Sequence, residues 1–117
     1  MAITEAFAGT EVVGATEWSC PRDASYAIGS PQTSAGVYQV FLDLNDMVAG
    51  DILRIRFYEK VQATDTQRCF SEIILREVQS CPNWVAPSMV LMNGWDVSLL
   101  CIAGTSITVN WSIRKVA

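Results

Sequence analysis

The chain of 117 residues contains no histidine. A serine or cysteine nucleophile therefore has no imidazole to activate it, and no other residue is placed as an obvious substitute base. Asp43, Asp46, Asp51, Glu59 and Glu72 could converge as the acid and base of a glycoside hydrolase. Turn caps and solvated strand faces are the simpler assignment, because three of them border the turn signals Asn45-Asp46 and Ala49-Gly50-Asp51 and the other two lie in alternating runs. There is no phosphate-cradling G-x-x-x-x-G-K-[ST] or G-x-G-x-x-G pattern. Cys20, Cys69, Cys81 and Cys101 form no C-x-x-C pair, so they are expected to be free thiols, mostly buried, with no metal bound. The expectation is a protein that is not an enzyme and uses no cofactor.

Binding is the remaining class. Trp18, Trp84, Trp95 and Trp111 could supply an exposed pair for stacking on sugar rings, although Trp111 and Trp95 sit at core positions of the patterns described below. Trp84, just before Val85-Ala86-Pro87, is the least committed. Arg54, Arg56, Tyr58 and Lys60 share one face of a strand, and Arg and Tyr are favoured at protein interfaces. The net charge of −4 argues against a nucleic-acid surface. Residues 1–50 hold six acids and one base, whereas residues 51–117 hold six acids and seven bases. Such a division suits self-assembly in which an acidic part meets a basic face, as well as chance scatter over a solvated surface.

Strands must position these residues. Ile107, Val109, Trp111 and Ile113 alternate strictly with polar residues, and with the run from Trp95 across Ala103-Gly104-Thr105 they read as a hairpin. Tyr38, Val40, Leu42 and Leu44 form a second inward set, and Leu53, Ile55 and Phe57 a third. Placing Lys60 opposite Arg68 sets Leu53 against Leu75 and Ile55 against Ile73 on the core face, with Arg56 against Glu72 and Tyr58 against Phe70 on the other. Glu11–Trp18 and Ser25–Ile28 are weaker strands, Gly29–Gly36 is a loop by composition, Ser88–Met92 is a short strand after Pro87, and Asn93-Gly94 is a tight turn. The result is an all-β chain: residues 1–10 as an N-terminal arm, then 11–117 as a single antiparallel β-sandwich, jelly-roll-like, of seven to eight short strands. No spanning helix is present as an apolar run, and MAITEAFAGTE shows neither the basic nor the apolar region of an export signal, so none is expected.

The stretch from Gly36, including Leu42–Tyr58, Asn83-Trp84-Val85-Ala86-Pro87-Ser88, Gly94-Trp95-Asp96 and the ending Trp111-Ser112-Ile113-Arg114-Lys115-Val116, resembles small virion proteins of tailed bacteriophages. A sandwich of this size is similar to the jelly-roll cement, or decoration, proteins of capsids. The resemblance implies a non-enzymatic structural protein on the outer capsid surface of a virion. It would be made in the host cytoplasm and would clamp neighbouring major capsid subunits. Its expected partners are the major capsid protein and a second copy of itself, a dimer before a trimer, without nucleic acid or membrane. The expected contacts are the arm, with Met1, Ala2, Ile3 and Thr4, and Arg54, Arg56, Tyr58 and Trp84. The alternative is a carbohydrate- or receptor-binding module of a phage tail.

Overall fold

The computed structural model describes residues 2–27 and 32–116. Its ten strands in chain order are β1 (Ile3–Val13), β2 (Trp18–Ser19), β3 (Ala24–Ser25), β4 (Gly36–Asp43), β5 (Ile52–Glu59), β6 (Arg68–Arg76), β7 (Asn83–Val85), β8 (Met89–Leu91), β9 (Asp96–Ala103) and β10 (Ile107–Val116). One sheet has the order β1-β10-β4-β7, with β8 on the same side of β4, and the other runs β3-β2-β9-β5-β6. Every pairing is antiparallel. The two sheets pack as a sandwich. With β7 and β8 taken as one edge interrupted at Pro87, and β3 as an appendage of β2, the path is that of an eight-stranded jelly roll.

The alternating residues fill the interior. Tyr38, Val40, Leu42, Leu53, Ile55, Phe57, Ile107, Val109, Trp111 and Ile113 are buried, and Ile73 and Leu75 pack against them partly covered. Ser106 is half-buried, while Thr108 and Asn110 are exposed, which fixes the β10 register. Trp18 meets Trp111 edge to face at 5.7 Å between ring centroids, and Trp95 lies 4.5 Å from Tyr38. Each such pair adds about 0.5–1.5 kcal/mol beyond the area it buries. The β9–β10 hairpin turns at Gly104, whose φ is +98° and whose missing Cβ would lie 2.1 Å from Asp51 Oδ1. Both the backbone and the space there require glycine.

Two local expectations change. Ile3–Thr10, expected as a free arm, is most of β1 and pairs along β10 from Val116 to Asn110. Its alternation is broken by a bulge between Glu5 and Phe7, and Gly9 occupies a core-facing position because a Cβ there would come 3.0 Å from Trp111 Cζ2. The β5–β6 register runs as expected through Leu53–Leu75, Ile55–Ile73 and Arg56–Glu72. It then slips, pairing Tyr58 with Cys69 and leaving Phe70 as the extra residue of a bulge. Met1, residues 29–31 of the expected loop and Ile28 of the expected short strand lie outside the described residues.

Candidate interaction surfaces

The outer faces of the two sheets are built differently. On the β9-β5 sheet the chain between β1 and β4 folds back and covers part of the outward side. Tyr26 stacks on Tyr58 with 4.4 Å between centroids and donates to Gln67 Oε1 at 2.7 Å. Glu17 accepts from the Tyr58 hydroxyl and from Ser98 Oγ, and its carboxylate lies 3.6 Å from the Arg54 guanidinium. Ser19 Oγ donates to Asp96 Oδ1 at 2.6 Å and the Val97 N–H to the same oxygen at 2.8 Å. Asp96 Oδ2 is buried with no hydrogen-bond partner among the described residues. Burial pushes the Asp96 carboxyl up to about 6, against the pull of the Ser19 and Val97 hydrogen bonds. Burial, helped by the neighbouring Tyr58, pushes the Tyr26 phenol up to about 12.

The outer face of the β1-β10-β4 sheet has no such cover among the described residues. Reading the register across it, Ile3, Val116, Val37 and Val90 form one apolar row, with Ile3 and Val90 exposed. A parallel row holds Ala8, Ser112, Phe41 and Val85, and a third holds Thr10, Asn110, Asp43 and Asn83. Arg114 sits over Phe41, its Cζ 3.8 Å from the ring centroid. No carboxylate among the described residues comes within ion-pair distance of it. Arg114 separates two depressions. One of about 140 Å³ is bordered by Ile3, Val37 and Val116. The other, about 230 Å³, is bordered by Asp43, Asn83, Trp84 and Asn110.

The expected contact residues fall into three groups. Ala2, Ile3 and Thr4 are exposed at the start of β1, and Met1 lies outside the described residues. Arg54 and Tyr58 belong to the covered cluster with Glu17, and Arg56 is 2.6 Å from Glu72, whose hydrogen bond holds the guanidinium further up. Trp84, paired with Leu42, is half-buried against the core. Trp18, Trp95 and Trp111 are buried as well, so the four tryptophans present no exposed stacking pair.

Of the five carboxylates, Asp43 and Asp46 border one depression with Asn45, Thr108 and Asn110, and Asp51, Glu59 and Glu72 do not line it. Asp43 accepts from Asn45 N, Asp46 from Thr108 N, Asp51 from Val48 N, and Glu59 from Met92 N and Asn93 N, while Glu72 holds Arg56. All four cysteines are free thiols, but the expectation that they are mostly buried holds for only two. Cys20 and Cys101 are buried, and desolvation raises both thiols. Cys69 and Cys81 are exposed, since Cys69 stands beside the β6 bulge and Cys81 in the connection to β7. Lining the bare face, Arg114 and Phe41 were missed by the sequence reading. Their only signal was a basic residue and an aromatic one at outward positions of two alternating strands.

No family model matches the chain. No curated protein matches it either. Among solved structures it is similar to one described as "Bacillus endospore appendages form a novel family of disulfide-linked pili", with a TM-score of 0.51 and 15% identity over 97% of this chain and 86% of that one. At that identity the likeness shows the fold. The bacteriophage side of the sequence resemblance has no counterpart in these comparisons.

Proposed function

We propose that the chain is a non-enzymatic structural protein, one subunit of an extracellular assembly whose neighbours cover the surface it leaves bare. The observation that carries this reading is the Ile3-Val116-Val37-Val90 row, apolar across four strands on a face that no other described residue covers. A contiguous apolar surface of this kind marks an interaction site far more often than scattered single residues do. Sequence resemblance supports the finer form, a cement protein on the outside of a phage capsid that also pairs with itself. The fold likeness to a pilus protein supports a second form, a fibre subunit.

The test is sedimentation velocity and negative-stain microscopy of the purified protein, alone and with capsids lacking it. Association with itself or decoration of the capsids is expected. A protein that stays monomeric to millimolar concentration and leaves capsids bare would overturn the reading. The tail-module alternative predicts retention on a glycan array, and without an exposed tryptophan pair none is expected.

A further inference from the structure

The strand directions sort the exposed apolar residues by position. β1, β4 and β6 start at the end of the sandwich where β5 and β10 finish, and the β9–β10 hairpin and the β4–β5 connection both lie at the opposite end. Ile3, Val61, Val90 and Met92 are therefore exposed at the first end, and Val12, Val48, Val78 and Ile102 at the second. Only Phe70, Ile74 and Val85, among the exposed large apolar residues described, lie between. Side-chain charge divides along the same axis. Leaving out the buried Asp51 and Asp96, the first end carries Arg22, Lys60, Arg68, Arg114 and Lys115 against Glu5, Asp23, Glu59 and Asp65, while the second carries Glu11, Asp43, Asp46 and Glu77 against Arg76.

We infer that copies of this chain stack end to end, the first end of one docking on the second end of the next. This rests on the structural-subunit reading and names its partner and its polarity. Both ends expose apolar surface that burial would stabilise, and the two ends differ in charge sign, so unlike ends attract while like ends at the acidic side repel. Sideways pairing is disfavoured by the edges themselves. β1 and β6 are the long outer strands, each is kinked by a bulge, and each carries charged residues, the devices by which sheets resist edge-to-edge growth. A contact between unlike patches repeats without closing unless a rotation happens to close it, so it generates a stack rather than a dimer.

The test uses exposed positions. Val61 and Val90, at 88% and 80% exposure, are changed to Glu in one variant, and Val48 and Val78, at 59% and 65%, to Lys in another. Association is measured by sedimentation, with circular dichroism and thermal melts confirming the fold of each. Each double variant alone is expected to associate at least tenfold more weakly than the parent, and an equimolar mixture to regain association, since every mixed contact has either one intact pair of ends or Glu facing Lys. Parent-like association of both variants would overturn end-to-end stacking and leave the subunit reading standing, with the strand edges as the contact rather than the face that carries Val90. Loss in the Val61 and Val90 variant without rescue on mixing would mean that two like ends meet, which also overturns it. A parent chain that never associates and never binds capsids would remove the subunit reading and this inference together.

Discussion

The two outer faces put similar residue types to opposite uses. Arg54 on the β5 face is paired with Glu17, and Tyr58 beside it lies beneath Tyr26, so charge and aromatic surface there are consumed inside the monomer. Arg114 on the β10 face lies on Phe41 with no carboxylate at ion-pair distance among the described residues, and the valines around it stay partly in water. An arginine and an aromatic ring therefore predict an interface only after the rest of the chain has been accounted for. The first face contributes to folding, whereas the second is free to contribute to association.

That contrast can be broken at several points. Tyr58→Ala removes a buried ring, its stack on Tyr26 and its bond to Glu17, and should cost about 3–5 kcal/mol in urea unfolding. A cost under about 1 kcal/mol would mean that the cover over the β5 face is loose. Asp96 gives the next largest effect. Its folded pKa of about 6 lies above the ordinary 3.8, so between those values the folded chain keeps a proton that the unfolded chain has released. Stability should therefore fall as pH rises from about 4 through 6, by about 3 kcal/mol in total, and Asp96→Asn should flatten that part of the profile. Ser19→Ala, which leaves Asp96 Oδ1 with the Val97 N–H alone, should cost about 1–3 kcal/mol at neutral pH. On the bare face Val85→Ser and Val90→Ser should each change unfolding by no more than about 0.5 kcal/mol, and a larger loss would show that this face too is part of the folding core. Chemical labelling sharpens the picture without altering the sequence: native protein should alkylate at Cys69 and Cys81, with Cys20 and Cys101 reacting only once unfolded, as intact mass would report.

How much of this could be read from the chain depended on how local the cause was. β10 was evident because nothing interrupts its alternation, and β5 and β6 could be aligned because Leu53, Ile55, Ile73 and Leu75 agree on a single register with Arg56 and Glu72. The slip at Phe70 was not evident, since an extra residue leaves no mark in composition and both parities of β6 contain apolar side chains. β1 was hidden for a related reason. The bulge shifts its parity after Glu5, and its core-facing side then places glycine over a tryptophan and half-buried Glu11 before reaching Val13. The cover over the β5 face depends on Glu17 and Tyr26 meeting Tyr58, Ser98 and Gln67, tens of residues away, and no short-range pattern encodes such a meeting. The bare face needed the full strand order before Ile3, Val37, Val90 and Val116 could be seen as neighbours.

The strand order also has a consequence for folding. β10 sits between β1 and β4, and β9 between β2 and β5, so the inner partner of each sheet comes from one hairpin that follows in sequence all the strands it joins. Until that hairpin is in place, β1 and β4 have no shared neighbour, and the β5–β6 hairpin lacks the strand that ties it to β2. Pairings of such long sequence separation make folding of this domain slow by the standard of chains with local contacts.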